Sequence, residues 1–232
     1  MKRLFIFSLF SLSLLSLSAC NTLSTSSIDP NAAYKNTPSE QLLQEGETAA
    51  AKGSYSTAAR VLEAHAALYP FEQRDRRLVD SAYVYYRQGK PELAEAQCDL
   101  YSLEFPNGKD TSYINYLQGV SEFDRSSTFL QRIFKTDPAV VNDQHFQNAF
   151  EFFEKVTQEP YRTDARFRMH VMRNIFAKHQ LLIAHYYFNR GAYVAAANRA
   201  REIVMHYNGT AYIEPALKLL QMSYHQLGMS ER

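Results

Sequence analysis

A short pattern recurs along this chain at a spacing of 36 residues. Gly53-Ser54-Tyr55 is followed by Ala58 and later by Pro70, and Gly89-Lys90-Pro91 is followed by Ala94 and later by Pro106. The opening of the pattern returns once more at Gly191-Ala192-Tyr193, followed by Ala196. Each mark has a physical task. The glycine permits a backbone turn closed to other residues, and the alanine lets two helices approach closely. The proline ends the second helix, because it lacks an amide proton and clashes with the preceding turn. A chain punctuated this way folds into stacked pairs of antiparallel helices.

The period is close to that of tetratricopeptide repeats. The predicted fold is therefore an all-α solenoid of antiparallel helix pairs, with about four and a half repeats in the domain 37–232. Repeats fall near 38–70, 74–106, 112–160 and 163–208, with a half repeat at 212–228. Thr37-Pro38-Ser39-Glu40 predicts a capping box at the first helix. The third repeat carries an expected loop insertion, 124–143, between Asp124 and Asp143. The fourth opens with a long helix from Asp164 to Arg190. Its apolar set, Val171, Met172, Ile175, Phe176, Leu182, Ile183, Tyr186 and Tyr187, keeps helical spacing. Gly119 takes the small position of its repeat.

The N-terminus has another grammar. Lys2 and Arg3 precede an apolar run, Leu4 to Leu17, that is short for a membrane span, and Ser18-Ala19 then lead to Cys20. Leu17-Ser18-Ala19-Cys20 resembles the bacterial lipobox. The resemblance implies a lipoprotein signal peptide, 1–19, and a covalent lipid on Cys20, with no other cofactor. Several acyl chains anchor a protein firmly, at roughly 0.8 kcal/mol per buried methylene. Asn21 to Asn36 is rich in Ser, Thr and Asn, so 20–36 is read as a flexible tether. Loss of Lys2 and Arg3 takes the formal charge from +1 to −1, with no basic block to argue for nucleic acid. Cys98 then remains as the single thiol, expected as a small buried residue.

Three stretches carry a family resemblance: Tyr69-Pro70-Phe71, the helix Ser81-Ala82-Tyr83-Val84-Tyr85-Tyr86, and the run from Ala184 to Arg199 that contains Arg190-Gly191-Ala192-Tyr193 and Asn198-Arg199. With the lipobox they resemble the BamD (ComL-like) outer-membrane assembly lipoproteins. The resemblance implies a non-enzymatic scaffold of the β-barrel assembly machinery, anchored in the outer membrane and facing the periplasm. Implied partners are the POTRA region of the barrel assembly protein, accessory lipoproteins, and unfolded outer-membrane β-barrel proteins. Arg199 sits where the family places an arginine that contacts the POTRA partner, and Arg190 and Asn198 share its segment. Family members commonly complete a fifth repeat. Ending on half a repeat, this chain is expected to expose an apolar helix face for docking.

Aromatics on a solenoid can grip an extended peptide. Tyr55, Tyr69 and Phe71 are the candidates for this role, with Tyr69 and Phe71 expected to be exposed and Tyr83 and Tyr86 expected in the core. His179 and His185 are six residues apart, which separates them around a helix and argues against a metal pair. Two other readings stay open. A tetratricopeptide lipoprotein that recruits cell-wall (peptidoglycan) hydrolases would share fold and anchor. An enzyme using Asp137, Asp143 and His145 of the insertion would need activity that vanishes on changing those aspartates.

Overall fold

The computed structural model describes residues 29–133 and 144–229, with the backbone alone over 126–133. Cys20, the signal segment and the stretch from Phe134 to Asp143 lie outside the described residues. The described chain is helical, in the order α1 (Ser39–Ala51), α2 (Tyr55–Leu68), α3 (Arg74–Arg87), α4 (Pro91–Glu104), α5 (Thr111–Ile133), α6 (Gln144–Glu154), α7 (Tyr161–Asn189), α8 (Tyr193–His206) and α9 (Ile213–Gln226). Helices pair as α1 with α2, α3 with α4, α5 with α6 and α7 with α8, and α9 packs on α8. Successive odd-numbered helices also touch one another, from α1 to α9. The stack is a tetratricopeptide-type solenoid whose odd-numbered helices share one face.

The hairpin turns repeat in atomic detail. Gly53, Gly89 and Gly191 have φ of 76°, 70° and 76°. The residue after each donates its amide to the carbonyl five back: Ser54 to Ala49, Lys90 to Tyr85 and Ala192 to Tyr187, at 2.9, 3.0 and 3.0 Å. This is the Schellman closure, which satisfies carbonyls that a helix end leaves open. A Cβ at these glycines would meet no neighbour, so the requirement is purely conformational. Gly119 is needed for space instead, because a Cβ there would lie 2.7 Å from the Phe153 ring of α6. Ala58, Ala94 and Ala196 are fully buried between paired helices.

Two expectations, the capping box and the loop insertion, are corrected. Thr37 and Glu40 form no capping box: α1 begins at Ser39 without a side-chain cap. Glu40 instead accepts from Gln73 at 2.6 Å and Arg76 at 3.0 Å, across to α3. The described end of the segment read as a tether carries a 3-10 turn at Ala32–Tyr34 and a Lys35–Asp29 ion pair at 2.8 Å. The expected insertion does not open as a loop at Asp124, because α5 continues to Ile133. Asp124 accepts from the Tyr86 hydroxyl at 2.7 Å and Arg125 donates to Glu95 at 3.1 Å, so partners on α3 and α4 hold these polar residues in the helix. The apolar set of α7 keeps its helical spacing and serves two cores. Met172 is buried against α5 and α6, whereas Ala177, Leu181 and Ala184 are buried against α8 and α9, leaving Leu182 and Tyr186 at the surface.

Candidate functional site

The Tyr69–Gln73 corner joins α2 to α3. Pro70 prevents α2 from continuing, and the freed carbonyls are collected by arginines. Arg77 donates to the Tyr69 carbonyl at 2.9 Å and to the Pro70 carbonyl at 3.1 Å. Arg74 grips Glu104 with two bonds of 2.5 and 2.6 Å, a bidentate pairing that suits guanidinium. Gln73 is the sole non-glycine residue with positive φ among those described, at 45°. Phe71 is left standing clear at 88% exposure. Tyr69, expected beside it, is half-buried. Its ring lies 5.6 Å from His65 and its hydroxyl donates to the Thr37 carbonyl at 2.7 Å, so it acts as a strut.

Tyr55 belongs to the other end of the same helix pair. Its ring meets Tyr83 edge-on at 6.3 Å, and the Arg87 guanidinium sits 4.7 Å over it. Fourteen residues of α2 separate this cluster from Phe71, about 20 Å at 1.5 Å per residue. The three aromatics therefore sit at opposite ends of α2 and form no common pocket. Tyr83 and Tyr86, expected in the core, are half-buried and pack against the core cluster of Leu78, Ala82 and Cys98. Between the ends, the shared face of α1 and α3 carries a carboxyl pair that the sequence did not flag. Asp80 Oδ2 is buried without a hydrogen-bond partner. Burial and the neighbouring Glu47 push its carboxyl up to about 7 against the pull of Arg76. Arg76 itself donates to Glu47 at 2.5 Å. Further along that face, Tyr161 stacks obliquely on Tyr113 and Tyr116 at 4.8 and 5.1 Å. Residues so far apart in sequence meet only because α5 and α7 lie side by side.

At the other end of the solenoid, Leu182 and Tyr186 are 51% and 48% exposed, one turn apart on α7. Arg190 places its guanidinium 4.5 Å over the Tyr186 ring, a cation–π contact. Arg199, half-buried on α8, donates to the Gln180 side chain at 3.2 Å. Among the described residues no carboxylate pairs with Arg190 or Arg199, so both charges are open to an outside anion. Asn198 is exposed and accepts from Arg201 at 3.1 Å. Leu217 and Met222 keep part of α9 apolar and exposed.

The remaining candidates resolve simply. Asp137 and Asp143 lie outside the described residues. His145 pairs its Nδ1 with Glu122 at 2.8 Å, and Glu122 also takes a bond from Arg125 at 3.1 Å, so His145 pins α6 to α5. Cys98 is buried, and burial with Asp99 and Glu95 nearby pushes its thiol up to about 12. His179 is buried and His185 exposed, and no group of three metal-binding side chains converges among the described residues. No described helix is long and apolar enough to cross a membrane.

An open stack of helix pairs, with an exposed aromatic at one end and, among the described residues, arginines without a carboxylate partner at the other, defines a protein of the tetratricopeptide class. Its sequence places it more narrowly. The model of the YfiO family, described as outer membrane lipoprotein, matches residues 35–232, and the chain belongs to that family. Curated relatives bear the name outer membrane protein assembly factor BamD. The one from Neisseria meningitidis serogroup A strain Z2491 is 30% identical over 220 residues, covering 92% of this chain and 82% of the relative. That from Vibrio cholerae is 29% identical over 199 residues, with 84% and 83% covered. That from Haemophilus influenzae is 28% identical over 195 residues, with 82% and 74% covered.

Proposed function

We propose that this chain is a non-enzymatic scaffold in outer-membrane protein assembly, held at the periplasmic face of the outer membrane by lipid on Cys20. The observation that carries the reading is the family match over residues 35–232, which spans both candidate surfaces. The α7–α8 surface binds the POTRA region of the barrel assembly protein. Arg199 supplies a half-buried guanidinium with no carboxylate of its own among the described residues, and the same helix pair carries Leu182, Tyr186 and Arg190 as exposed apolar and cationic area. That mixture suits an interface, where arginine and aromatics carry much of the energy.

The N-terminal surface receives extended segments of unfolded barrel proteins. Their strands alternate aromatic and polar side chains, and Phe71 and the Tyr55–Tyr83 cluster offer two separated aromatic contacts to such a segment. The direct test is calorimetric titration of the POTRA region into the purified full chain, beside a folded Arg199→Glu variant. The reading expects binding that weakens at least tenfold in the variant, in line with about 2 kcal/mol or more for a truncated buried charge pair. An absence of binding by the native chain overturns it and moves the hydrolase-adaptor reading to first place.

A further inference from the structure

His65 is a fully buried histidine for which the assembly role has no use. It lies on the apolar stripe of α2, in line with Ala58 and Leu62, where a leucine would be ordinary. Both its ring nitrogens are engaged. Arg77 Nη1 lies 3.3 Å from Nδ1, and Ser39 Oγ lies 2.9 Å from Nε2. A guanidinium has donors only. Nδ1 must therefore accept, the proton sits on Nε2, and Nε2–H donates to Ser39. The cluster thus joins the first turn of α1, the end of α2 and the start of α3.

We propose that His65 and Arg77 form a proton-sensitive latch that holds the Tyr69–Gln73 corner in the shape presenting Phe71, so that acidification releases the corner. His65 and Arg77 are positioning residues. Arg77 is 4% exposed and spends its donors on the imidazole and the carbonyls of Tyr69 and Pro70. Protonating Nδ1 removes its lone pair and sets a second positive charge against the guanidinium. The latch then loses one bond and gains a repulsion, and Arg77 is freed from the corner it clamps. The strain of Gln73 at φ 45° and the exposed Phe71 give the corner reason to open once the clamp is lost.

The groups facing His65 set the balance. From α3 comes the Arg77 charge, from α1 the neutral Ser39 hydroxyl, and from the corner the Tyr69 ring and the Glu72 carboxylate. Burial, then Arg77, holds the imidazole below its ordinary value, and Glu72 opposes them. Arg74 and Glu104 act on Arg77 from behind with opposite signs. Sign follows from linkage. A histidine whose proton affinity is lower in the closed corner than in the open one favours opening as pH falls through the ordinary histidine range.

Peptide capture by Phe71 rests on the reading given under Proposed function, so the test separates the two. Amide hydrogen exchange of the purified full chain is measured between pH 7.5 and 4.5, with rates corrected for intrinsic chemistry. Protection of the amides of Tyr69 and Arg77, bonded to the His65 and Gln73 carbonyls at 2.8 and 3.0 Å, is expected to fall by up to about tenfold per pH unit below roughly 6.5. In His65→Gln, whose amide offers an acceptor to Arg77 and a donor to Ser39 without titrating, protection should stay level. Equal protection at all pH values in the native chain, or the same loss in the variant, overturns the latch. Should the variant fail to fold, the ring-proton titration of native His65 decides. Titration coincident with the loss of protection supports the latch, and titration with the corner intact overturns it. A decapeptide of alternating Phe and Thr is the probe for capture. Binding that weakens as the corner loosens supports the coupling. Loosening with no peptide binding at any pH keeps the latch and refutes peptide capture.

Discussion

Replacing Asp80 by asparagine should stabilise this protein at neutral and alkaline pH, and should do little in acid. Asp80 faces Glu47 across the α1–α3 contact, with one carboxylate oxygen buried and unpartnered. Its carboxyl is pushed up to about 7 from an ordinary 3.8. The folded state therefore holds a proton that the unfolded chain has released between those values, and stability falls as pH rises across that window. Each pH unit costs about 1.4 kcal/mol while both conditions hold, so the full penalty above pH 7 is roughly 4 kcal/mol. Partial solvent access reduces this, and a measured gain of ~2–4 kcal/mol is the expectation. Asparagine keeps the shape and cannot ionise. The assay is urea unfolding of native chain and Asp80→Asn at half-unit steps from pH 3.5 to 8.5. The difference in stability should be near zero at the acid end and should grow until about pH 7. A difference that stays constant across the range refutes the assignment of the proton to Asp80.

Other consequences follow from single contacts. Gly119→Ala places a methyl carbon 2.7 Å from the Phe153 ring, and should lower unfolding stability by ~1–3 kcal/mol through overpacking of α5 on α6; unchanged thermal unfolding would contradict that packing. Gly191→Ala has room but keeps a φ of 76°, so it should cost roughly 1–2 kcal/mol from backbone strain alone. Cys98 should resist Ellman's reagent at pH 8 until the chain unfolds, because burial keeps its thiol protonated; rapid labelling of the folded protein would contradict its burial. Phe71→Ser should shift stability by less than about 0.5 kcal/mol, as expected for a side chain that touches little, while weakening binding of the alternating peptide.

What sequence alone conveyed was the part of the fold that is decided locally. Gly53, Gly89 and Gly191 announce their turns because the backbone conformation they need is closed to other residues. Ala58, Ala94 and Ala196 announce close helix approach by their size. Readings failed wherever a distant element decided the outcome. Glu40 has the spacing of a capping residue, yet Gln73 and Arg76 of α3 claim its oxygens. The polar stretch after Asp124 looks like a loop until Tyr86 of α3 and Glu95 of α4 are found bonded to it. The α7 stripe predicts its helix, but one helix serves two cores, and periodicity does not reveal a change of neighbour halfway along.

Candidate sites followed the same division. Phe71 was readable as exposed because it lies in a proline corner, whereas the burial of Tyr69 depends on His65 and Thr37. The separation of Tyr55 from Phe71 was implicit in the length of α2. The Asp80–Glu47 pair had no signature, since carboxylates this far apart in sequence are individually unremarkable. Its discovery required the α1–α3 contact.

In the proposed role, this chain helps unfolded chains become barrels in the outer membrane. The most direct measurement is the folding rate of an unfolded β-barrel protein in liposomes that hold the barrel assembly protein, with and without this chain. Heat-modifiable mobility on gels reports the folded fraction. The account predicts faster folding when the chain is present, with the gain abolished by Arg199→Glu. Equal rates with and without the chain, once POTRA binding has been confirmed under the same conditions, would contradict it.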